Sequence, residues 1–343
     1  MGFSARRNND LPKMMRESIA DRIFSLAGEA EFMKAAIEIF MRQASENKIY
    51  REFLSCLGRD PASVRNTLDI PFLPVEFFRN HIVITGPGAP EIVFESSGTT
   101  AMVKSRHYVT DLSLYNESLL RGFDLFYGSP SHYLIAALMP SPEERPSGSL
   151  SYMVNHLIRS GADKRSGFFT RNYDHLAGIL GDAVREGKKC ILMGISYALL
   201  DFAEAKPMDL TEVIVVETGG MKGRREEITR GELHSRLMNN LGVRTIHSEY
   251  GMTELLSQAW SDGEGLFRCP PWMKILVREL NDPFSVSSEP GQAGALNIID
   301  LANINSCSFI ATWDLGRLHE NGSFEVLGRY DHSDVRGCNL LAG

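Results

Sequence analysis

Three neighbouring stretches, Lys189-Cys-Ile-Leu-Met193, Ser196-Tyr-Ala-Leu-Leu-Asp-Phe-Ala-Glu-Ala205 and Glu212-Val-Ile-Val-Val216, decide the fold. The outer two are short apolar runs that read as buried strands, and the middle one reads as a helix. A third run of the same kind lies upstream at His132–Leu138, and further helical stretches fall at 111–127, 173–186 and 224–240. Strands that alternate with helices imply right-handed crossovers and a mostly parallel sheet covered on both faces. Upstream, residues 29 to 57 read as helix, with Phe32, Ala36, Ile39, Phe40, Ala44 and Ile49 near helical spacing. Ile70-Pro-Phe-Leu-Pro74 then forces an extended connection, because each proline restricts itself and its predecessor. After residue 263 the texture changes to short strand-like segments at 272–278, 294–300, 308–313 and 323–328. The expected class is α/β, with a β-rich C-terminal part. The division is a helical portion over 1–69 of the same domain, an α/β core over 70–262, a β-rich subdomain over 263–330 and a tail over 331–343.

The 343 residues carry a net charge of −7, from 36 basic and 43 acidic side chains, which excludes a dedicated nucleic-acid binder. Five scattered cysteines form no CxxC pair, the pattern of reduced thiols in a cytoplasmic protein rather than a disulfide framework or zinc site. The opening Met-Gly-Phe-Ser-Ala-Arg6 has no apolar signal core, and Arg6 stands where myristoylation needs Ser or Thr. No stretch approaches the roughly 20 apolar residues of a membrane span. The expectation is a soluble cytoplasmic protein.

Four segments carry chemistry. Phe94-Glu-Ser-Ser-Gly-Thr-Thr-Ala-Met-Val-Lys-Ser-Arg-His107 offers backbone N–H groups, hydroxyls and the cations Lys104, Arg106 and His107 to phosphate oxygens, although it matches no Walker A loop. The same loop could instead cap a helix starting near Asp111. His247-Ser-Glu-Tyr-Gly-Met-Thr-Glu254 places a glycine turn at the carboxyl end of a strand, where open α/β sheets bind ligands. A helix is expected to start near Thr253. That threonine could bond a phosphate and Glu254 could hold Mg²⁺, or the two could be a helix cap and a first-turn acid. Val215-Val-Glu-Thr-Gly-Gly-Met-Lys-Gly-Arg-Arg225 feeds a strand into glycines that admit a flat ligand. Finally, Asp314 in Thr312-Trp-Asp-Leu-Gly-Arg317 could accept from ribose hydroxyls, and Arg329 in Gly328-Arg-Tyr-Asp331 could reach the same nucleotide.

In this order the segments resemble the adenylate-forming superfamily of acyl-CoA synthetases, adenylation domains and luciferases. Ser96-Ser-Gly-Thr-Thr-Ala-Met-Val-Lys104 is similar to the family phosphate loop, with Ala101 replacing a glycine and Val103 a proline. Tyr250-Gly-Met-Thr-Glu254 matches the YGxTE motif, Asp314 the ribose-binding position and Gly328-Arg-Tyr-Asp331 the hinge. The likeness extends to the acyl-protein synthetases of bacterial luminescence fatty-acid reductases, through SSGTT, KSRHYV, ETGGMKGRRE, HSEYGMTELLSQ and LGRYDHSDVRGCNLL. The resemblance implies a large adenylate-forming domain that takes ATP and Mg²⁺. Ser97, Gly98, Thr99, Thr100 and Lys104 would face the phosphates. Gly219, Gly220, Tyr250, Gly251 and Thr253 would line the nucleotide, Asp314 and Arg329 would hold the ribose, and Glu254 would bind the metal. Only the residues from Asp331 to Gly343 follow the hinge, so the mobile C-terminal lid and its lysine are expected to be absent or vestigial. Lys104 or Lys222, or a partner, would then supply the missing cation.

The same likeness makes Cys338 the acceptor of the acyl group. A thiolate is the attacking species, and nearby Arg336 would favour it. The implied substrate is a carboxylic acid of the long-chain fatty type. The implied partner is an acyl reductase, with self-association left open. Two alternatives stand: a ligase that hands the acyl group to coenzyme A or a carrier thiol, and a nucleotide-binding subunit without chemistry.

Overall fold

The computed structural model describes residues 19–97, 103–170 and 172–330. Helices α1 (Ile19–Ile23), α2 (Glu29–Glu46) and α3 (Lys48–Cys56) lead to strand β1 (Leu73–Pro74) and helix α4 (Phe77–Asn80). A hairpin of β2 (Ile92–Glu95) and β3 (Arg106–Val109) precedes α5 (Leu112–Tyr127). The chain continues through β4 (Leu134–Leu138), α6 (Ser149–Ser160), β5 (Gly167–Phe168), α7 (Tyr173–Arg185), β6 (Cys190–Ile195), α8 (Ser196–Ala205), β7 (Val213–Thr218) and α9 (Arg230–Leu241). The remainder is β8 (His247–Tyr250), β9 (Ala259–Ser261), β10 (Leu266–Phe267), β11 (Met273–Arg278), β12 (Val286–Ser287), β13 (Ala293–Asp300), β14 (Phe309–Leu318) and β15 (Phe324–Arg329).

The molecule is mixed α/β. One sheet runs β5-β4-β6-β7-β8-β9, parallel as far as β8 and closed by antiparallel β9. Its apolar strands are continuous rather than alternating because both faces are buried. Ile135, Ala137, Ile191, Met193 and Val216 enter one core, while Leu134, Ala136, Leu192, Val213 and Val215 enter another with α7, α8 and α9. The second sheet is antiparallel in the order β10-β15-β14-β13-β11-β12, and β1 joins β14 in parallel. Gly294 and Gly316 permit its close approaches: an added Cβ would stand 2.3 Å from the Arg278 carbonyl oxygen at the first and 2.4 Å from that of Glu325 at the second.

Local departures from the sequence reading have identifiable causes. The helix expected over 29–57 breaks at Asn47, whose buried side chain accepts from Tyr50 N and donates to Thr85 Oγ1 and the Ser306 carbonyl. The helix expected from residue 224 starts at Arg230, where the Thr229 hydroxyl caps Glu232 N. Helix α5 takes its cap from Asp111 itself, not from the Ser/Thr-rich loop.

Gln43 joins α2 to the segment before β14. Its amide donates to the carbonyls of Asn303 and Ile304 and to Ser308 Oγ, and its oxygen accepts from Ser308 N at 3.0 Å. Gln43→Leu keeps the size but strands these buried partners, at about 1–3 kcal/mol for an unsatisfied group. We expect urea unfolding to show a loss of about 3 kcal/mol with an unchanged denaturant slope.

Candidate active site

The carboxyl end of the mixed sheet gathers the motif residues. Strand β7 ends in Thr218, and Gly219 and Gly220 follow with φ of 70° and 64°, a left-handed backbone that glycine adopts without cost. Beside them β8 ends in Glu249 and Tyr250, then turns through Gly251 to Glu254. Glu249 is buried, accepts from the Thr218 hydroxyl and lies against Gly251, where an added Cβ would come within 2.5 Å of its Oε1. Burial pushes the Glu249 carboxyl up to about 7, Thr218 and Lys222 pull it down, and neighbouring Glu217 pushes it up. Glu217 ends below its usual range although burial opposes this, because His234, Arg230 and Ser196 stabilise its charge. The Lys222 ammonium is lowered by the surrounding protein and by Arg145.

The antiparallel sheet contributes from the other side. The Tyr250 hydroxyl donates to Asp314 Oδ2 at 2.8 Å, and Asp314 pairs in register with Arg329 across β14–β15. Burial raises the Asp314 carboxyl, which Tyr250 and the Arg329 charge pull back. Burial also raises Glu254, against a hydrogen bond from Ser105 and the charge of Arg329. Arg329 itself is exposed.

The β2–β3 hairpin supplies the third edge. Its loop is closed by Ser105 N donating to Ser96 Oγ at 3.0 Å, and Ser97 is exposed. Lys104 is exposed and pairs with Glu95 at 3.4 Å, so the structure does not bring it against Glu254. Gly98, Thr99, Thr100 and Cys338 lie outside the described residues.

Two sequence expectations are corrected. His107 is not a cation for phosphate: its ring is fully buried, with Nδ1 2.9 Å from the Thr253 carbonyl and Nε2 3.1 Å from Asn303 Oδ1. Burial pushes it down to about 4, against both contacts. A neutral ring carries one N–H and therefore satisfies one of these acceptors at a time. Nor does a helix start near Thr253. The Thr253 and Glu254 carbonyls are taken by His107 and by Asn303 Nδ2, and the N–H groups of Leu256 and Ser257 by Asp300 Oδ2. Backbone groups spent this way cannot close helical turns. Sequence reasoning missed Ser105, Asn303 and Asp300 as parts of the site. No local pattern marked them, because the strands of the β2–β3 hairpin are only four residues each and the partners of Asn303 and Asp300 are distant in sequence.

Among the described residues no group of three or more His, Cys, Asp or Glu forms a metal cluster. The single carboxylate of Glu254 therefore suits Mg²⁺ only as the ion usually binds beside nucleotides, with one or two protein carboxylates, phosphate oxygens and water. Open space beside Gly220 and the partly buried acceptor Asp314 suit a purine nucleoside.

No protein-family model and no curated protein sequence matches the chain. Its fold is nevertheless that of known structures. 2-Hydroxyisobutyryl-CoA ligase in the postadenylation state, in complex with R3-HIB-AMP, superposes with a TM-score of 0.64 at 12% identity, covering 95% of this chain and 73% of that one. The same ligase with 2-HIB-AMP and CoA in the thioesterification state gives 0.65 at 13% identity, covering 96% and 74%. The chain has the fold of an adenylate-forming CoA ligase.

The Glu249 carboxyl yields a pH prediction. Its folded value of about 7 stands above the ordinary 4.5. Between these values the folded state keeps a proton that the unfolded chain has released, so stability falls as pH rises through the window. Glu249→Gln removes the loss. Its stability relative to wild type should climb by about 3 kcal/mol between pH ~4.5 and ~7, read from urea midpoints across that range. Parallel wild-type and variant curves would contradict the assignment.

Proposed function

We propose that this protein is an ATP-dependent acid–thiol ligase that converts a carboxylic acid, of the long-chain fatty type, to an acyl-adenylate and then to a thioester on Cys338. The observation that carries the reading is the 2.8 Å bond from Tyr250 to Asp314. It joins the YGxTE-like turn to the ribose-type aspartate, in a fold shared with a ligase seen with an acyl-AMP. Glu254 lies in that same turn, where Ser105, beside the phosphate-type loop, favours its charged form.

In the first step a carboxylate oxygen attacks the α-phosphorus of ATP. A P–O bond forms, the bond to the departing pyrophosphate breaks, and acyl-AMP results. Mg²⁺ held at Glu254 would neutralise developing phosphate charge. Ser97, Gly98, Thr99, Thr100 and Lys104 face the phosphates in this reading, while Gly219, Gly220, Gly251, Thr253, Asp314 and Arg329 hold the nucleoside. Oriented donors of this kind stabilise charge without reorganising during the reaction. Asp314 with Arg329 opposite can orient the ribose, and Tyr250, whose hydroxyl burial keeps protonated, fixes the aspartate.

In the second step the Cys338 thiolate attacks the acyl carbonyl carbon. A C–S bond forms, the C–O bond to AMP breaks, AMP leaves, and the thiol proton has already passed to solvent. The thioester is then available to an acyl-reductase partner in the cytoplasm. Coenzyme A as the acceptor is the second reading, favoured by the likeness to a CoA ligase.

Incubation with radioactive long-chain acid, ATP and Mg²⁺ should leave hydroxylamine-labile label on wild type and none on Cys338→Ser. Label on neither, with a CoA thioester appearing when CoA is added, would establish the second reading instead.

A further inference from the structure

Two cations stand at the carboxyl edge of the mixed sheet without an ion-pair partner. Arg145 lies in the loop after β4 and Lys222 in the loop after β7. Among the described residues neither side chain makes a hydrogen bond or salt bridge. Their neighbours do: Arg225, three residues beyond Lys222, is clamped by Asp201 and Glu204, and Lys104 faces Glu95.

Both cations are seated against glycine. Lys222 is left-handed, with φ of 51°, a conformation that residues other than glycine seldom adopt. Gly219, Gly220 and Gly223 around it have φ of 70°, 64° and 65°. This run curls the loop so that the Lys222 stem folds back on Gly219, whose added Cβ would stand 3.1 Å from Cε and 3.2 Å from Nζ. Arg145 rests on Gly148 in the same manner, where an added Cβ would meet Cδ at 3.1 Å. Backbone strain such as that at Lys222 collects at active sites and ligand clamps, where it positions a group.

The Arg145 loop also touches the phosphate-type hairpin. Glu95 N, at the end of β2, donates to the Ser147 carbonyl at 2.8 Å. Arg145 is in turn near enough to Lys222 to repel its charge. Like charges held together without a counter-ion repel, and one anion between them relieves this. Glu249 does not fill that role. Its charge favours the Lys222 ammonium, but its carboxyl accepts from the Thr218 hydroxyl and burial favours its neutral form.

The ligand that suits a guanidinium beside an ammonium is an oxyanion, since both groups offer several N–H donors and no acceptor. Adenylation brings a carboxylate against an anionic α-phosphate, and cations beside the pair offset that repulsion. We propose that Arg145 and Lys222 jointly grip one substrate oxyanion of the adenylation step, the carboxylate of the acid or a phosphate of ATP; the proposal rests on the adenylation reading.

The test compares full-length wild type with Arg145→Gln, Lys222→Gln and the double variant. Acid-dependent pyrophosphate exchange gives kcat/KM, and calorimetry gives separate affinities for ATP with Mg²⁺ and for the long-chain acid. Each single variant should lose about ten- to a hundredfold in kcat/KM, the weight of a hydrogen bond to a charged group. Urea midpoints should not move, because neither side chain has a partner to lose. The double variant should lose at least about threefold less than the product of the single losses, as two groups on one ligand are not independent. A weaker affinity for the acid assigns the carboxylate, and a weaker affinity for ATP assigns the phosphate. Single losses that simply multiply, or a single variant within about twofold of wild type, would overturn the proposal. Wild type that exchanges with no acid would remove the adenylation reading, and the shared grip would then stand only if ATP affinity still fell about tenfold in both single variants.

Discussion

A single buried carboxamide holds the site together. Asn303 donates to the Glu254 carbonyl at 2.7 Å and to the Cys307 carbonyl at 3.0 Å, and its oxygen faces the His107 ring. Water has no access to these groups, so each depends on the others for its hydrogen bonds. Through them the β2–β3 hairpin, the Tyr250–Glu254 turn and the approach to β14 share one geometry. Asp300 adds a second clamp on Leu256 and Ser257, and Gln43 and Asn47 bring the N-terminal helices to the same segment. A network of this kind is costly wherever it is left incomplete, which makes the turn rigid in one arrangement.

That rigidity explains why two sheets of different construction can meet at a functional edge. The parallel strands end in loops with left-handed glycines, the usual ligand side of an open α/β sheet. The antiparallel sheet reaches them through Asp314, which Tyr250 fixes across the gap. Carboxyl groups on this edge are held above their ordinary range by burial, at Glu249, Glu254 and Asp314 alike. The Arg329 charge pulls Glu254 and Asp314 only part of the way back, and a cationic ligand would favour the ionised form further.

The strand–helix alternation between Leu134 and Leu241 was legible because burial on both faces produces unbroken apolar runs bounded by turns. The antiparallel strands were legible from turn residues between them. Two features were not. The β2–β3 hairpin has strands of four residues each, too short for a period to emerge. The turn after Tyr250 carries a helix-start pattern, but His107, Asn303 and Asp300, distant in sequence, capture its backbone groups. Such tertiary capture leaves no trace in a local window. Of the site, the glycines, Tyr250, Glu254, Asp314 and Arg329 stood out as motif residues, whereas Ser105 and Asn303 did not, since nothing about an isolated serine or asparagine signals a buried partner.

The central claim is that this edge supports acid-dependent adenylation, with the Asn303 network setting its geometry. Exchange of labelled pyrophosphate into ATP tests it directly, with wild type and Asn303→Ala compared across short, aromatic and long-chain acids. The account predicts exchange that requires an acid, is strongest with long chains, and falls by about a hundredfold in the variant, as expected when supporting groups shift a site by about 1 Å. Absence of exchange with every acid, from wild-type protein that still binds ATP, would contradict it.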